Sequence, residues 1–260
     1  GCGDDFAAGW ASRIHSRVLC SMGRVSEGVD AARACVAHYE RLKQERPDYY
    51  FSGLTELAGA HRVAGEFSDA RAAMEQSELW ADDVGSREAL ALAAMEAAEL
   101  ARAVEHYDEA REHYATCAEL FDALGGKNRL LVPLNLCLVD LESGELEAPL
   151  EPLQQLREEF SNVGMEGFTP LVDLGLAACH AKRGDWPAFD RCVELAREKL
   201  ISQDVRDQEL AGLAVIAAKA ALDAGAANGS RAWQLAQELG GPDGRLSRVR
   251  DVAALEDRWG

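Results

Sequence analysis

A glycine that returns about every forty residues is the feature that most limits what this chain can fold into. Gly23, Gly65, Gly144, Gly184 and Gly225 each close a helix-patterned run, and Glu105 holds the same place in the third copy. Successive anchors lie 42, 40, 39, 40 and 41 residues apart. Two positions beyond the anchor stands a large apolar residue: Val25, Phe67, Tyr107, Leu146, Trp186. Five beyond it is a small one (Gly28, Ala70, Ala110, Ser230), and twenty beyond it a second glycine recurs at Gly85, Gly125 and Gly164. A fixed period of this kind means one supersecondary unit copied and stacked, each copy touching only its neighbours.

The unit is a helical hairpin. Between Ser86 and Gly125 the first half is Ala-rich nearly all round (Ala89, Ala91, Ala93, Ala94, Ala97, Ala98, Ala101), which suits an inner layer where backbones approach closely. The second half is amphipathic, with Tyr107, Ala110, Tyr114, Cys117, Leu120, Phe121 and Leu124 at spacings of three and four. Ser86 is placed to cap the first helix, and Gly125 follows the last turn of the second.

Extending that unit along the chain predicts inner helices near 5–22, 50–64, 87–104, 128–143, 168–183 and 206–224. Outer helices are predicted near 26–45, 67–84, 107–124, 146–163, 187–203 and 229–240. Arg46-Pro47-Asp48 reads as a break, and Pro149 and Pro152 as a bend or shortening of the fourth outer helix. A charged helix from Arg245 to Trp259 is expected to cap the array or to begin a further unit. No low-complexity linker divides 1–260, so one domain is expected.

Ala and Leu dominate the apolar residues, which favours helix over sheet. The formal charge of −18 argues against nucleic acid or an anionic membrane as partner, since phosphate would be repelled. Seven scattered cysteines with no C-x-x-C pair fit a reducing, cytoplasmic setting better than a disulfide framework. No apolar run is long enough to span a membrane. The chain opens GCGDD without Met, which reads as part of a longer protein. Gly1-Cys2 also fits the scar of a lipoprotein signal with lipid on Cys2, although a helix from Phe6 leaves no tether for it.

The stretch Leu54-x-x-Leu57-Ala58-x-x-His61-x-x-x-Gly65-x-Phe67-x-x-Ala70-x-x-x-Met74 resembles the framework of tetratricopeptide repeats (TPR). Ala94, Ala97, Ala98, Ala101, Ala110 and Tyr114 repeat it with alanine substituted. The period of about forty is nearer that of HEAT and armadillo arrays, but the Gly-x-aromatic-x-x-Ala turn is TPR-like. Longer units of this type are similar to the TPR-like sensor regions of bacterial signalling ATPases, MalT-type regulators and some bacterial kinases. The resemblance implies an all-α, TPR-like right-handed α-solenoid of about six hairpins with a C-terminal capping helix. It also implies a scaffold, with no catalysis of its own, that binds a protein or peptide segment in its concave groove. The alternative is a ligand-sensing regulatory region switching an attached ATPase, transcriptional regulator or Ser/Thr kinase.

The family's inner-helix positions fall on Trp10, Arg13, Arg17 and Cys20; Ser52, Thr55, Gly59 and Arg62; Leu92, Met95, Glu99 and Arg102. They continue through Leu131, Leu134, Leu138 and Leu141, then Leu171, Leu174, Ala178 and Ala181. The groove expected to hold a partner is therefore Arg13, Arg17, Arg62 and Arg102 with Met95, followed by Leu131, Leu134, Leu138, Leu171 and Leu174. An acidic side chain or peptide C-terminus would meet the arginine end and an apolar segment the leucine end. The competing reading pairs these arginines with Glu56, Glu96 and Glu99 and closes the leucine half. Glu56 and Glu96 also stand where the two-carboxylate clamp of chaperone-binding TPRs would need other residues.

Conventional chemistry is not visible. Gly125-Gly126-Lys127-Asn128 lacks the first Gly and the Ser/Thr of a phosphate loop. His106 and His113, with Asp108 or Glu109, are a possible metal pair that also suits an ordinary helix surface. Cys179 and His180 are adjacent, so they diverge by about 100° on a helix. Cys35 and Cys117 fit as small apolar residues. No active site, cofactor or metal is expected.

Overall fold

The computed structural model describes residues 2–202, 208–240 and 252–259. All regular structure among them is helical, with no strand. The chain forms two compact units, 1–132 and 133–260.

Unit 1 is a stack of three hairpins. Its helices are α1 (Cys2–Ser21), α2 (Val25–Glu40), α3 (Pro47–Ala64), α4 (Phe67–Glu78), α5 (Arg87–Ala103) and α6 (Tyr107–Leu124). Each inner helix packs on its own outer helix, and α3 also packs on α1 and on α5. Val29 and Ala32 of α2 meet Ala60 of α3, with Cys20, Leu57 and Ala64 around them. One turn of the array later, Ala70, Ala73 and Met74 of α4 meet Phe51 and Ala58 of α3 and Ala93 and Leu100 of α5. Small residues at these contacts let the backbones approach, so the alanine-rich inner helix has the expected use.

In α7 (Leu131–Ser143), which begins at the end of unit 1, Leu134, Cys137, Leu138, Val139 and Leu141 are buried. Unit 2 contains α8 (Leu150–Asn162), α9 (Thr169–Arg183), α10 (Trp186–Ser202), α11 (Gln208–Asp223), α12 (Gly229–Gly240) and α13 (Val252–Trp259). Helix α9 sits at its centre, packed on α8, α10 and α11, and is buried from Val172 through Cys179. A helix apolar on every side belongs inside. At Gly175 α9 lies close to its neighbours: a Cβ there would stand 3.0 Å from both Leu141 and Leu153.

The repeat phase read from the sequence is the phase of the structure. All six anchors are left-handed: Gly23, Gly65, Gly144, Gly184 and Gly225 at φ 76, 76, 92, 71 and 71°, and Glu105 at φ 65°. Each makes the same helix-ending pair of bonds. The Gly65 N–H donates to the Arg62 carbonyl and the Glu66 N–H to that of His61, and the Glu105 and His106 N–H groups repeat this on Arg102 and Ala101. Among the described residues Glu105 is the one non-glycine with positive φ, so position overrode residue type there.

Some boundaries differ from expectation. Pro47 does not break the chain; it opens α3 at its first turn, where a missing N–H leaves no bond unmade. The second outer helix stops at Glu78 and continues as a 3-10 turn, Ala81–Asp83. The fourth outer helix is shortened, starting at Leu150 because Pro149 takes the position before it. The terminal helix is α13; the expected stretch 245–251 before it lies outside the described residues. Ser86 caps α5, its hydroxyl accepting from the Ala89 N–H at 3.2 Å.

Candidate partner-binding face

The inner helices of unit 1 carry an ion ladder. On α1, Arg13 and Arg17 are four residues apart and share one face of the helix. Both reach the same carboxylate on α3: Nε of Arg17 donates to Glu56 Oε2 at 2.7 Å and Nε of Arg13 to that oxygen at 3.4 Å. Glu56 is sunk between them, its side chain 8% exposed, while that of Arg17 is 54% exposed.

One repeat on, the same step recurs with the signs held. Glu96 on α5 looks back to α3, where Arg62 donates through Nε at 2.6 Å and through Nη2 at 3.2 Å. Arg62 Nη2 also donates to Glu99. Gly59 makes room for this pair, since a Cβ on it would stand 2.9 Å from Glu96 Oε2. Burial raises the Glu96 pKa, Arg62 lowers it and Glu99 raises it again, leaving it at about 7. Burial also works against the charge of Arg62, but Glu96 and Glu99 outweigh it and raise its pKa. Arg102 is buried and near enough to Arg62 to oppose that rise.

The expected site residues divide by chemistry, charged and apolar. Arg13 and Arg17 pair with Glu56, and Arg62 separately with Glu96 and Glu99, the carboxylates named in the competing reading. Met95 is buried, and Leu131 half-buried. Leu134 on α7 and Leu174 in unit 2 are interior at 2% and 0% exposure, as is Leu138 at 0%, while Leu171 is half-buried.

Among the described residues of unit 2, Asp173 makes the comparable buried ion pair. Asp173 on α9 is 1% exposed and lies 3.0 Å from Arg157 Nε on α8. Burial pushes its carboxyl up, opposed by Arg157 and Lys199. Between α8, α9 and α10 opens a cleft of about 910 Å³ with Arg157, His180, Asp185 and Arg191 on its walls. Its lining mixes both charge signs and singles out no ligand.

Nucleophile chemistry has little support in the geometry. Desolvation pushes the thiols of Cys35, Cys117, Cys137 and Cys179 up to about 12 and that of Cys192 to about 11, which suits inert packing groups. His106 and His113 both face Glu109, at 3.1 and 3.9 Å. A group of three potential metal ligands does come together elsewhere: His61, Glu66 and Asp69, with ligand atoms within 4.8 Å of one another. His61 Nδ1 lies 2.6 Å from Glu66 Oε2. The same turn position in unit 2 pairs His180 with Asp185 at 3.7 Å, and there the place of Asp69 is taken by Ala188. The recurring feature is thus a two-residue clip across the hairpin turn. A histidine four before the anchor and an acid one after it was the sequence signal for it.

Comparison with known proteins places the fold. No protein-family model matches the chain, and no curated protein matches it. Solved structures do. A Rap protein complexed with competence and sporulation factor superposes with a TM-score of 0.69 at 13% identity, over 90% of this chain and 64% of that one. The fold is TPR-like. BtubC from P. vanneervenii gives a TM-score of 0.57 at 15% identity, over 91% of this chain and 93% of that one. A kinesin light chain-like set of nearly identical TPR-like repeats from Podosopora anserina gives 0.53 at 18%, over 75% and 95%. These likenesses carry the TPR-type helical repeat fold and not the narrower sensor-region subtype. Among the described residues no helix is long and apolar enough to cross a membrane.

Proposed function

We propose that the chain is a non-catalytic scaffold that binds a protein or peptide segment, and that the inner face of unit 1 receives it. The observation that carries this reading is the sharing of one sunken carboxylate by two arginines. Arg13 and Arg17 each spend Nε on Glu56, and a guanidinium has five N–H donors. The remaining donors of Arg17 stand at the surface of a chain whose formal charge is −18. An acidic side chain or a peptide C-terminus is the ligand chemistry that fits them. Half-buried Leu92 and Leu131 would take the apolar part of such a segment. A Rap protein of similar fold, solved in complex with competence and sporulation factor, supports this reading.

The Arg62–Glu96–Glu99 cluster belongs to the frame in this reading. It fixes α3 against α5, so the groove is preorganised and the incoming segment bears most of the ordering cost.

Selection from a displayed library of random peptides with free C-termini tests the proposal. Acidic or carboxylate-ended sequences are expected, and Arg13→Ala with Arg17→Ala should weaken their binding roughly tenfold, about 0.5–1 kcal/mol for each partly exposed contact. Peptides that bind wild type and the double variant alike would remove the proposal.

A second reading, a ligand-sensing regulatory region of a signalling ATPase, transcriptional regulator or kinase, has one observation in its favour. Glu96 is poised near neutrality inside the α3–α5 contact, so a ligand altering its charge would alter that contact. A spin-label distance between α3 and α5 that changes when a selected peptide binds would favour this reading; an unchanged distance favours the scaffold.

A further inference from the structure

The turn between α3 and α4 brings together three side chains that can ligate a metal. His61 lies in the last turn of α3, Glu66 follows the Gly65 anchor, and Asp69 is the third residue of α4. The backbone fixes their spacing: the Glu66 N–H donates to the His61 carbonyl at 2.9 Å, and the Ala70 N–H to the Glu66 carbonyl at 3.0 Å. The His61 side chain is 5% exposed and turns Nδ1 toward Glu66, whose own side chain is half-exposed, and Asp69 is exposed. One ligand atom from each residue lies within 4.8 Å of those of the other two.

A two-residue clip accounts for His61 and Glu66 but leaves Asp69 over. Among the described residues Asp69 makes no ion pair or hydrogen bond, although it stands beside a second carboxylate. One imidazole, even protonated, balances only one of the two negative charges, so a group of this composition favours a cation. The hairpin of α9 and α10 shows the clip without that surplus. There Asp185 Oδ1 accepts from the Ala188 N–H at 3.2 Å and caps α10, His180 Nδ1 stands 3.7 Å from Asp185 Oδ2, and Ala188 takes the place of Asp69. Glu66 makes no such capping bond to α4; its carboxylate is turned to His61 instead.

We propose that His61, Glu66 and Asp69 bind one divalent transition-metal ion of the zinc class at this turn. A ring nitrogen with carboxylate oxygens is a borderline donor set that suits Zn2+, Co2+ or Ni2+, whereas Ca2+ and Mg2+ take oxygen ligands. With bonds of about 2.0–2.2 Å, ligand atoms on a tetrahedral ion stand about 3.3 Å apart. The buried imidazole is the fixed ligand, and the two exposed carboxylates need only turn about their own side-chain bonds to reach that spacing. Three protein ligands leave the fourth position to water. The ion joins the end of α3 to the start of α4 and, bound to the folded hairpin alone, stabilises it by mass action. The site shares no residue with the peptide face.

Titration calorimetry of the chelator-treated chain with ZnCl2 is the test, with the visible absorption of added CoCl2 as a second readout of the same site. Wild type should take up one equivalent of either ion. Asp69→Asn, an isosteric change at an exposed position, should weaken uptake about tenfold or more, and Glu66→Gln should do the same. His106→Gln with His113→Gln, which removes the other histidines beside a carboxylate in unit 1 helix α6, should bind as wild type does. Zn2+ should slow amide exchange at the α3–α4 turn of wild type and not of Asp69→Asn. The proposal is overturned if the chain takes up no stoichiometric metal, if Asp69→Asn binds as wild type does, or if the α6 double substitution abolishes uptake.

Discussion

The two units are built on one hairpin template and hold their inner helices with different chemistry. In unit 1 the contacts between successive inner helices include ion pairs, Arg13 and Arg17 with Glu56 and Arg62 with Glu96 and Glu99. In unit 2, α9 is sealed in hydrocarbon, with Asp173 as its one buried carboxylate. Buried ion pairs rarely add net stability, because desolvation offsets the attraction. They leave polar groups near the surface with donors to spare. The apolar seam gives up any such capacity in exchange for burial. The face proposed for recognition thus lies on the unit with the costlier interior.

The largest effect expected on that contrast comes from the apolar side. Phe189→Ala empties a fully buried site beside Trp186 and should cost about 3–5 kcal/mol, read by amide exchange in unit 2. That cost should be almost independent of pH and salt. Arg62→Ala comes next. It strands Glu96 and Glu99 and should cost unit 1 about 3 kcal/mol at pH 8, and less at pH 5, where Glu96 holds a proton. If the two substitutions showed the same pH response, the contrast between the units would fail.

A smaller effect sharpens the same point. Folded Glu96 keeps its proton up to about pH 7, whereas an ordinary carboxyl of this type releases it near 4.5. The folded state thus binds the extra proton between these values, and this group's contribution to stability declines as pH rises through them. Thermal melts of Glu96→Gln should lack that decline, so the variant gains on wild type from pH 5 to pH 8. A constant difference between the two would show that the carboxyl does not titrate in this window.

The mildest substitution tests the template rather than the seam. Glu105 adopts φ 65° where the other five anchors are glycine. Glu105→Gly should raise the stability of unit 1 by about 1 kcal/mol in urea denaturation, by relieving a left-handed side-chain clash. No gain would mean that the side-chain contacts of Glu105 offset the strain.

What was legible in the sequence follows from what repeats. The six turns could be placed, Glu105 included, because phase is carried by the whole unit and survives the loss of any one residue. Helix starts were read less well: Pro47 suits both a break and a first turn, and only packing of Tyr49, Tyr50 and Phe51 beneath it decides which. The arginine face was legible as charged residues one period apart, and the glutamates nine residues before successive anchors were visible as partners. Which of the two readings held for each arginine depended on side-chain reach, to which spacing is blind. The leucines were ambiguous for a different reason. A helix apolar on all sides has no preferred face, so Leu134, Leu138 and Leu174 suit a core as well as a groove. The His61–Glu66 clip went unread because the pair spans the turn, outside either helix's periodicity.

Amide exchange on the complex with a library-selected peptide tests the central claim most directly. Added protection on α1, α3 and α5, lost in Arg13→Ala with Arg17→Ala, is the predicted result. Protection confined to unit 2, or unaffected by those two substitutions, would contradict it.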